Sequence, residues 1–262
     1  MISVFVGCSF TAGSGFDQTQ ADPRLWVNLL KNNKHLTDTN FVNLGLPGKS
    51  NTEIFVKSIE ALCKHKPRFM FVQWTSYPRY TVLLSVETYS SEQIFIPGTD
   101  CLDWQFSKDS YSGNYLNNIK DRFLALHHPH QGIVEVVKYT NLLNNIASTT
   151  GTQIFFINGL CPWDQDYFEP LQNVLPSSYT PYTQAIIDCD AKSDQDIFQI
   201  YNNLHQDYKN AGGINQQRWL NLYNSMNSMK VDYNTDNQHP GVKSNNQYFE
   251  LFSQELNSKL SS

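Results

Sequence analysis

The chain has no apolar run approaching the ~20 residues of a membrane span, and its start lacks a basic segment followed by an apolar one. A soluble protein without a signal peptide is therefore expected, with no membrane partner. Charge is also scarce, at 16% of residues, with a formal net charge of −5 and scattered Lys and Arg. Without a basic stripe there is no surface to track phosphates, which argues against a nucleic-acid partner. Five cysteines, Cys8, Cys63, Cys101, Cys161 and Cys189, form no C-x-x-C pair and are odd in number. That pattern fits reduced thiols in a cytoplasm better than a disulfide framework. No internal repeat or low-complexity linker imposes a domain boundary.

What remains is enough for a core. Hydrophobic residues make up 40% of the 262 positions and aromatics 13%, so one large α/β domain spanning 1–262 is expected. Ile2–Val6 reads as a short strand, 24–30 as a short amphipathic helix, and 41–44 as a second strand. Ser50-Asn51-Thr52-Glu53 is a capping-box pattern that opens a helix ending before Lys66-Pro67. Residues 68–74 and 153–157 read as buried strands, and a helix is predicted over 133–147. After His239-Pro240-Gly241, Tyr248, Phe249, Leu251, Phe252 and Leu256 mark a final helix that packs back on the sheet. Strands alternating with helices predict a mainly parallel sheet with helices on both faces, because parallel neighbours need a crossover. Two stretches break the pattern and read as insertions, at about 77–115 and 160–230. Helical spacing recurs within 116–126, around Ile197 to Leu204, and over 219–229.

In a parallel sheet, function gathers in the loops at the carboxyl ends of the strands. Ser9, Gly48 and Thr75-Ser76 all follow predicted strands and so fall along one rim. A serine hydroxyl becomes a nucleophile only when an imidazole takes its proton and a carboxylate orients that imidazole. Ser9, His239 and Asp236 supply these groups, and the Asp236-x-x-His239 spacing suits one tight turn. Arg79, four residues after Thr75, is a candidate to hold an anionic part of a substrate.

Other motifs carry less. Gly48-Lys49-Ser50 mimics the end of a phosphate-binding loop, but Asn43 stands where its first glycine is required. His127, His128 and His130 lack a carboxylate or cysteine at ligand spacing, and Pro129 between them reads as a loop in an exposed turn. No metal or cofactor is expected. Trp74, Trp104, Trp163 and Trp219 have rings able to stack on sugars, although such residues mostly serve cores.

Gly7-Cys8-Ser9-Phe10-Thr11, Asn43-Leu44-Gly45-Leu46-Pro47-Gly48, Gln73-Trp74-Thr75-Ser76 and Asp236-x-x-His239-Pro240 together resemble the SGNH, or GDSL-type, hydrolase superfamily in order and spacing. The resemblance covers residues 1–74 and about the last 30. It implies a three-layer α/β/α sandwich of flavodoxin-like type. It also implies Ser9 as nucleophile, Gly48 as a backbone donor to the oxyanion, and Asp236 and His239 as acid and base.

Two positions depart from the pattern. Cys8 replaces the usual aspartate, and Thr75-Ser76 stand where an asparagine donor is expected, so a hydroxyl of Thr75 or Ser76 is the candidate replacement. The Gly-Cys-Ser-Phe-Thr form resembles a divergent branch often met in bacteriophage genomes, which implies a cytoplasmic or virion-associated protein. The implied activity is hydrolysis of a small-molecule or carbohydrate acyl ester, an O-acetyl sugar among them, through an acyl-enzyme. The alternatives are an acyltransferase using the same triad and a non-catalytic phage-related binding or structural protein on the same scaffold.

Overall fold

The computed structural model describes residues 1–75, 79–85, 90–95, 129–160, 215–220 and 224–261. The chain divides into two compact units, one of Met1–Ser76, Tyr139–Asp164 and Asn215–Ser262, the other of Tyr77–Lys138 and Gln165–Ile214. The first unit holds a five-stranded parallel sheet. Its strands are β1 (Ile2–Val6), β2 (Asn40–Asn43), β3 (Phe69–Trp74), β6 (Gln153–Asn158) and β7 (Trp219–Leu220), in the order β2-β1-β3-β6-β7. Helices flank it: α1 (Ser9–Ala12), α2 (Trp26–Leu29), α3 (Asn51–His65), α4 (Pro129–Thr150, of which the part from Tyr139 onward belongs to this unit) and α5 (Val242–Ser261). The architecture is a three-layer α/β/α sandwich with a flavodoxin-like strand order. The described part of the second unit contains an antiparallel pair, β4 (Arg79–Ser85) with β5 (Ser90–Phe95).

Register explains why the central strands read as continuous apolar runs. Phe5 pairs with Phe71, and Phe71 with Phe155, so three phenylalanines form one row across β1, β3 and β6. Their rings stack, with centroids 4.7 Å and 5.6 Å apart. Trp26 of α2 meets Phe5 edge-on, and Phe252 of α5 meets Trp26 in turn. Trp74, Phe156 and Trp219 form a second aromatic row, in which Trp74 stacks on Phe156 at 6.0 Å. Each of these side chains is at most 1% exposed, and burial of each contributes about 1.5–3 kcal/mol.

The capping box at Ser50 and Glu53 is present, and α3 ends at Lys66 in a left-handed conformation just before Pro67. Two expectations need correction. The described residues of 219–229 are not helical: Trp219 and Leu220 form β7, paired with Phe156 and Ile157, and 224–229 lie in bends and turns. Two residues are too few for either periodicity to register, so only burial on the sheet reveals them. The Pro129 loop reading also fails, because Pro129 and His130 open α4. Proline's fixed φ suits a first helical turn, whose N–H is unpaired anyway. The predicted helices at 116–126 and 197–204, and His127, His128, Trp104 and Trp163, lie outside the described residues.

Candidate active site

The strand order reverses between β1 and β3, which places the carboxyl end of β1 at the switch point of the sheet. Ser9 sits there as the first residue of α1, partly exposed, with its neighbours Cys8 and Phe10 buried. The loop after β2 lies against this turn. Asn43 Nδ2 donates to Thr11 O at 2.7 Å, and Asn43 Oδ1 accepts from Gly45 N at 2.9 Å. A Cβ at Gly45 would lie 2.4 Å from Ala12 N, so only glycine allows this approach. Gly48, in the same loop, has φ 71° and is exposed just before α3.

Thr75 follows β3. Its N–H donates to Asn51 Oδ1 at 2.8 Å, tying the end of β3 to the start of α3. Its hydroxyl is buried and has no hydrogen-bond partner among the described residues. Thr75 therefore offers a hydroxyl rather than an amide. Ser76 lies outside the described residues, and Arg79 is placed only as the start of β4, opposite Phe95.

Asp236 and His239 come together on one loop. His239 Nδ1 lies 2.5 Å from Asp236 Oδ2, and Asp236 Oδ1 accepts the backbone N–H groups of Gln238 and His239 at 3.0 Å each. Partial burial works against ionisation of Asp236, but the two backbone donors and the imidazole outweigh it and lower its pKa from 3.8 to about 2. The loop is closed by a bridge between Tyr233 and Pro240 and by Asn234 N donating to His239 O. Asp232 anchors it by accepting the N–H groups of Lys243 and Ser244 in the first turn of α5.

This loop packs against the segment that follows Ser9. The His239 ring meets Phe10 edge-on at 5.9 Å, and Thr235 Oγ1 donates to Gly15 O at 3.1 Å. Among the described residues no direct bond joins Ser9 to His239; the Ser9 hydroxyl makes a long 4.0 Å contact with Cys8 Sγ. The arrangement can orient an imidazole with Nδ1 committed to a carboxylate and Nε2 left for proton exchange. Sequence reasoning missed Phe10 as the residue that seats His239. Its only signal is its place beside Ser9 in an otherwise buried turn.

The described residues contain no group of three His, Cys, Asp or Glu side chains able to hold a metal ion. None of the described helices is long and apolar enough to cross a membrane. No protein-family profile matches the chain, and no curated protein matches it either. Among solved structures it is similar to a carbohydrate acetylesterase family member from Sinorhizobium meliloti, at 11% identity over 100% of both chains with a TM-score of 0.46. It is also similar to the psychrotrophic esterase EstA from Pseudoalteromonas, at 10% identity over 100% of both chains with a TM-score of 0.43. A third is the lipase/acylhydrolase from Enterococcus faecalis, at 12% identity over 99% of this chain and 97% of that one, with a TM-score of 0.40. At such identities the likeness concerns the fold alone.

Proposed function

We propose that the chain is an SGNH-type serine ester hydrolase of the divergent Gly-Cys-Ser-Phe-Thr branch met in bacteriophage genomes. The observation that carries this reading is the Asp236–His239 pair, at 2.5 Å, seated against Phe10 beside Ser9 at the switch point of the sheet. In this mechanism Ser9 Oγ attacks the ester carbonyl while His239 Nε2 takes its proton. Asp236, held ionised by its backbone donors, fixes the tautomer and stabilises the imidazolium. The backbone N–H groups of Ser9 and Gly48, with the unpartnered hydroxyl of Thr75, stabilise the oxyanion. The proton passes to the leaving alcohol, and water then releases the acyl group from Ser9 by the same route. The substrate is a small-molecule or carbohydrate acyl ester, with Arg79 and Ser76 as binding candidates. Transfer to a second alcohol in place of water uses the same groups.

A second reading has its own support. The Ser9 hydroxyl contacts Cys8 and not His239, as suits a binding or structural protein that keeps the scaffold without turnover. A serine-reactive phosphonate, read by intact mass and peptide mapping, separates the two, together with a panel of p-nitrophenyl and O-acetyl sugar esters. Labelling of Ser9 and ester turnover, both lost in Ser9→Ala, are expected of the hydrolase. An unlabelled Ser9 with no turnover across the panel supports the second reading.

A further inference from the structure

The turn that carries Ser9 has an unusual cap. The first N–H groups of a helical turn have no partner within it, and the preceding residue normally supplies one from a Ser, Thr, Asp or Asn side chain. Cys8 holds that place and makes no side-chain cap bond. The Thr11 and Ala12 N–H groups reach Cys8 O at 3.1 and 3.0 Å, and the side-chain acceptor that shares the Thr11 N–H comes from β3. Gln73 Oε1 accepts the Thr11 N–H at 3.2 Å and the Thr11 hydroxyl at 2.5 Å, while Gln73 Nε2 donates to Cys8 Sγ at 3.2 Å. Gln73, Thr11 and Cys8 are all fully buried. The amide has one orientation only, since exchanging O and N would set its NH2 against the Thr11 N–H.

The surroundings are shaped for this side chain. A Cβ at Gly7 would lie 2.8 Å from Gln73 Oε1, and one at Gly159 would lie 1.9 Å from Nε2. Two glycines, at the ends of β1 and β6, thus open the slot that the amide fills. A buried polar group in the middle of a parallel sheet is costly unless its partners are complete, and here both ends of the amide are used.

We propose that Gln73 is a positioning residue for Ser9: its amide caps the Ser9 turn from the neighbouring strand, in place of the side chain that Cys8 does not provide. The consequence for chemistry rests on the reading of Ser9 as nucleophile. Gln73 touches no reacting atom, and acts by fixing the backbone that sets the Ser9 Cα and the Ser9 N–H. The Ser9 hydroxyl itself, with only its long contact to Cys8, stays free to turn towards a base.

Gln73→Met removes both ends of the amide at similar volume, and adding Cys8→Asp restores an acceptor at the usual capping place. Hydrogen–deuterium exchange of the peptide spanning Ser9 to Ala12 reads the cap directly, in the full-length chain and without substrate. Exchange there is expected to rise about tenfold in Gln73→Met and to return most of the way in the double variant. A packing defect alone is not repaired by a carboxylate at position 8, so rescue separates the two roles. The phosphonate labelling rate of Ser9 and kcat on a cleaved ester should fall about tenfold, with KM nearly unchanged, and recover in parallel. If Gln73→Met fails to fold, Thr11→Val removes one of the three bonds and should raise exchange about threefold. Unchanged exchange in the folded variant overturns the cap, whatever the wild type does to esters. Faster exchange in a protein whose wild-type Ser9 never reacts supports the cap and overturns the hydrolase reading. Faster exchange with undiminished labelling and kcat overturns the positioning role.

Discussion

The Ser9 turn is anchored by buried groups from distant parts of the chain, whereas the Asp236–His239 pair is held mainly within its own exposed loop. Thr11 takes its side-chain partners from Gln73 and Asn43, 62 and 32 residues away. Asp236 takes its own from two and three residues ahead. Long-range buried bonds persist only while the sheet is intact, but local bonds tolerate rearrangement of everything around them. On the proposed reading, the nucleophile is thus on the rigid side of the site and the base on the adjustable side. That division would accommodate the imidazole of the proposed hydrolase, which approaches Ser9 at one stage and the leaving alcohol at the next.

The largest test of this contrast is Ser9→Ala. It should lower ester turnover by on the order of 10⁴–10⁶ while leaving the thermal melt nearly unchanged, since a partly exposed hydroxyl contributes little packing. Asp236→Asn comes next, with a loss of ~10³–10⁴ in kcat, because the amide holds the wrong imidazole tautomer. Its melting temperature should barely move if the loop is as self-contained as its hydrogen bonds indicate; a large drop would mean that the loop also supports the core. Thr75→Val should lower kcat by about 10²-fold without raising KM, since a donor to the oxyanion strengthens only in the transition state. An unchanged kcat would assign the oxyanion to backbone donors alone.

Phe71→Ala sharpens the other side of the comparison. It opens the middle of the stacked row under the Ser9 strand and should destabilise the fold by about 3–5 kcal/mol in denaturant titrations. The smallest effect is that of acid on the loop. The Asp236 pKa is depressed in the folded chain, from 3.8 to about 2, so its contribution is complete above pH 3.8 and fades as pH falls towards 2. Asp232 is shifted in the same direction by its bonds to Ser244 and Lys243, against the opposing effect of its burial. Exchange in residues 232–241 should therefore quicken below pH 4, before the Ser9 turn loosens. Simultaneous loosening would show that the two halves melt as one.

Those halves were not equally legible in the sequence. Consecutive apolar residues over 69–72 and 154–157 announce strands buried on both faces, and the Ser50–Glu53 pattern announces the start of α3. Asp236 and His239 could be paired because their bonds are local and follow from a three-residue spacing. Gln73 could not, since nothing in a strand of buried residues says that its amide caps a turn on the neighbouring strand. β7 was lost for the related reason that two residues carry no period. Local chemistry leaves a spacing in the sequence, while chemistry across the sheet leaves only a residue type at odds with its neighbours.

The sheet order also has a bearing on biosynthesis. β1 leaves a ribosome before the rest of the sheet, yet Trp26 N donates to Asn245 Oδ1 across 219 residues, and the histidine loop is fastened to the helix that carries Asn245. A nascent chain can assemble β1, β2 and β3 early, but the histidine loop and α5 are synthesised well after them. Contacts of such separation slow folding, because the loop entropy is lost before the contacts form. On the proposed reading, ribosome-arrested chains ending before residue 230 should thus hold a formed Ser9 turn without reactivity, and competence should arrive only with α5.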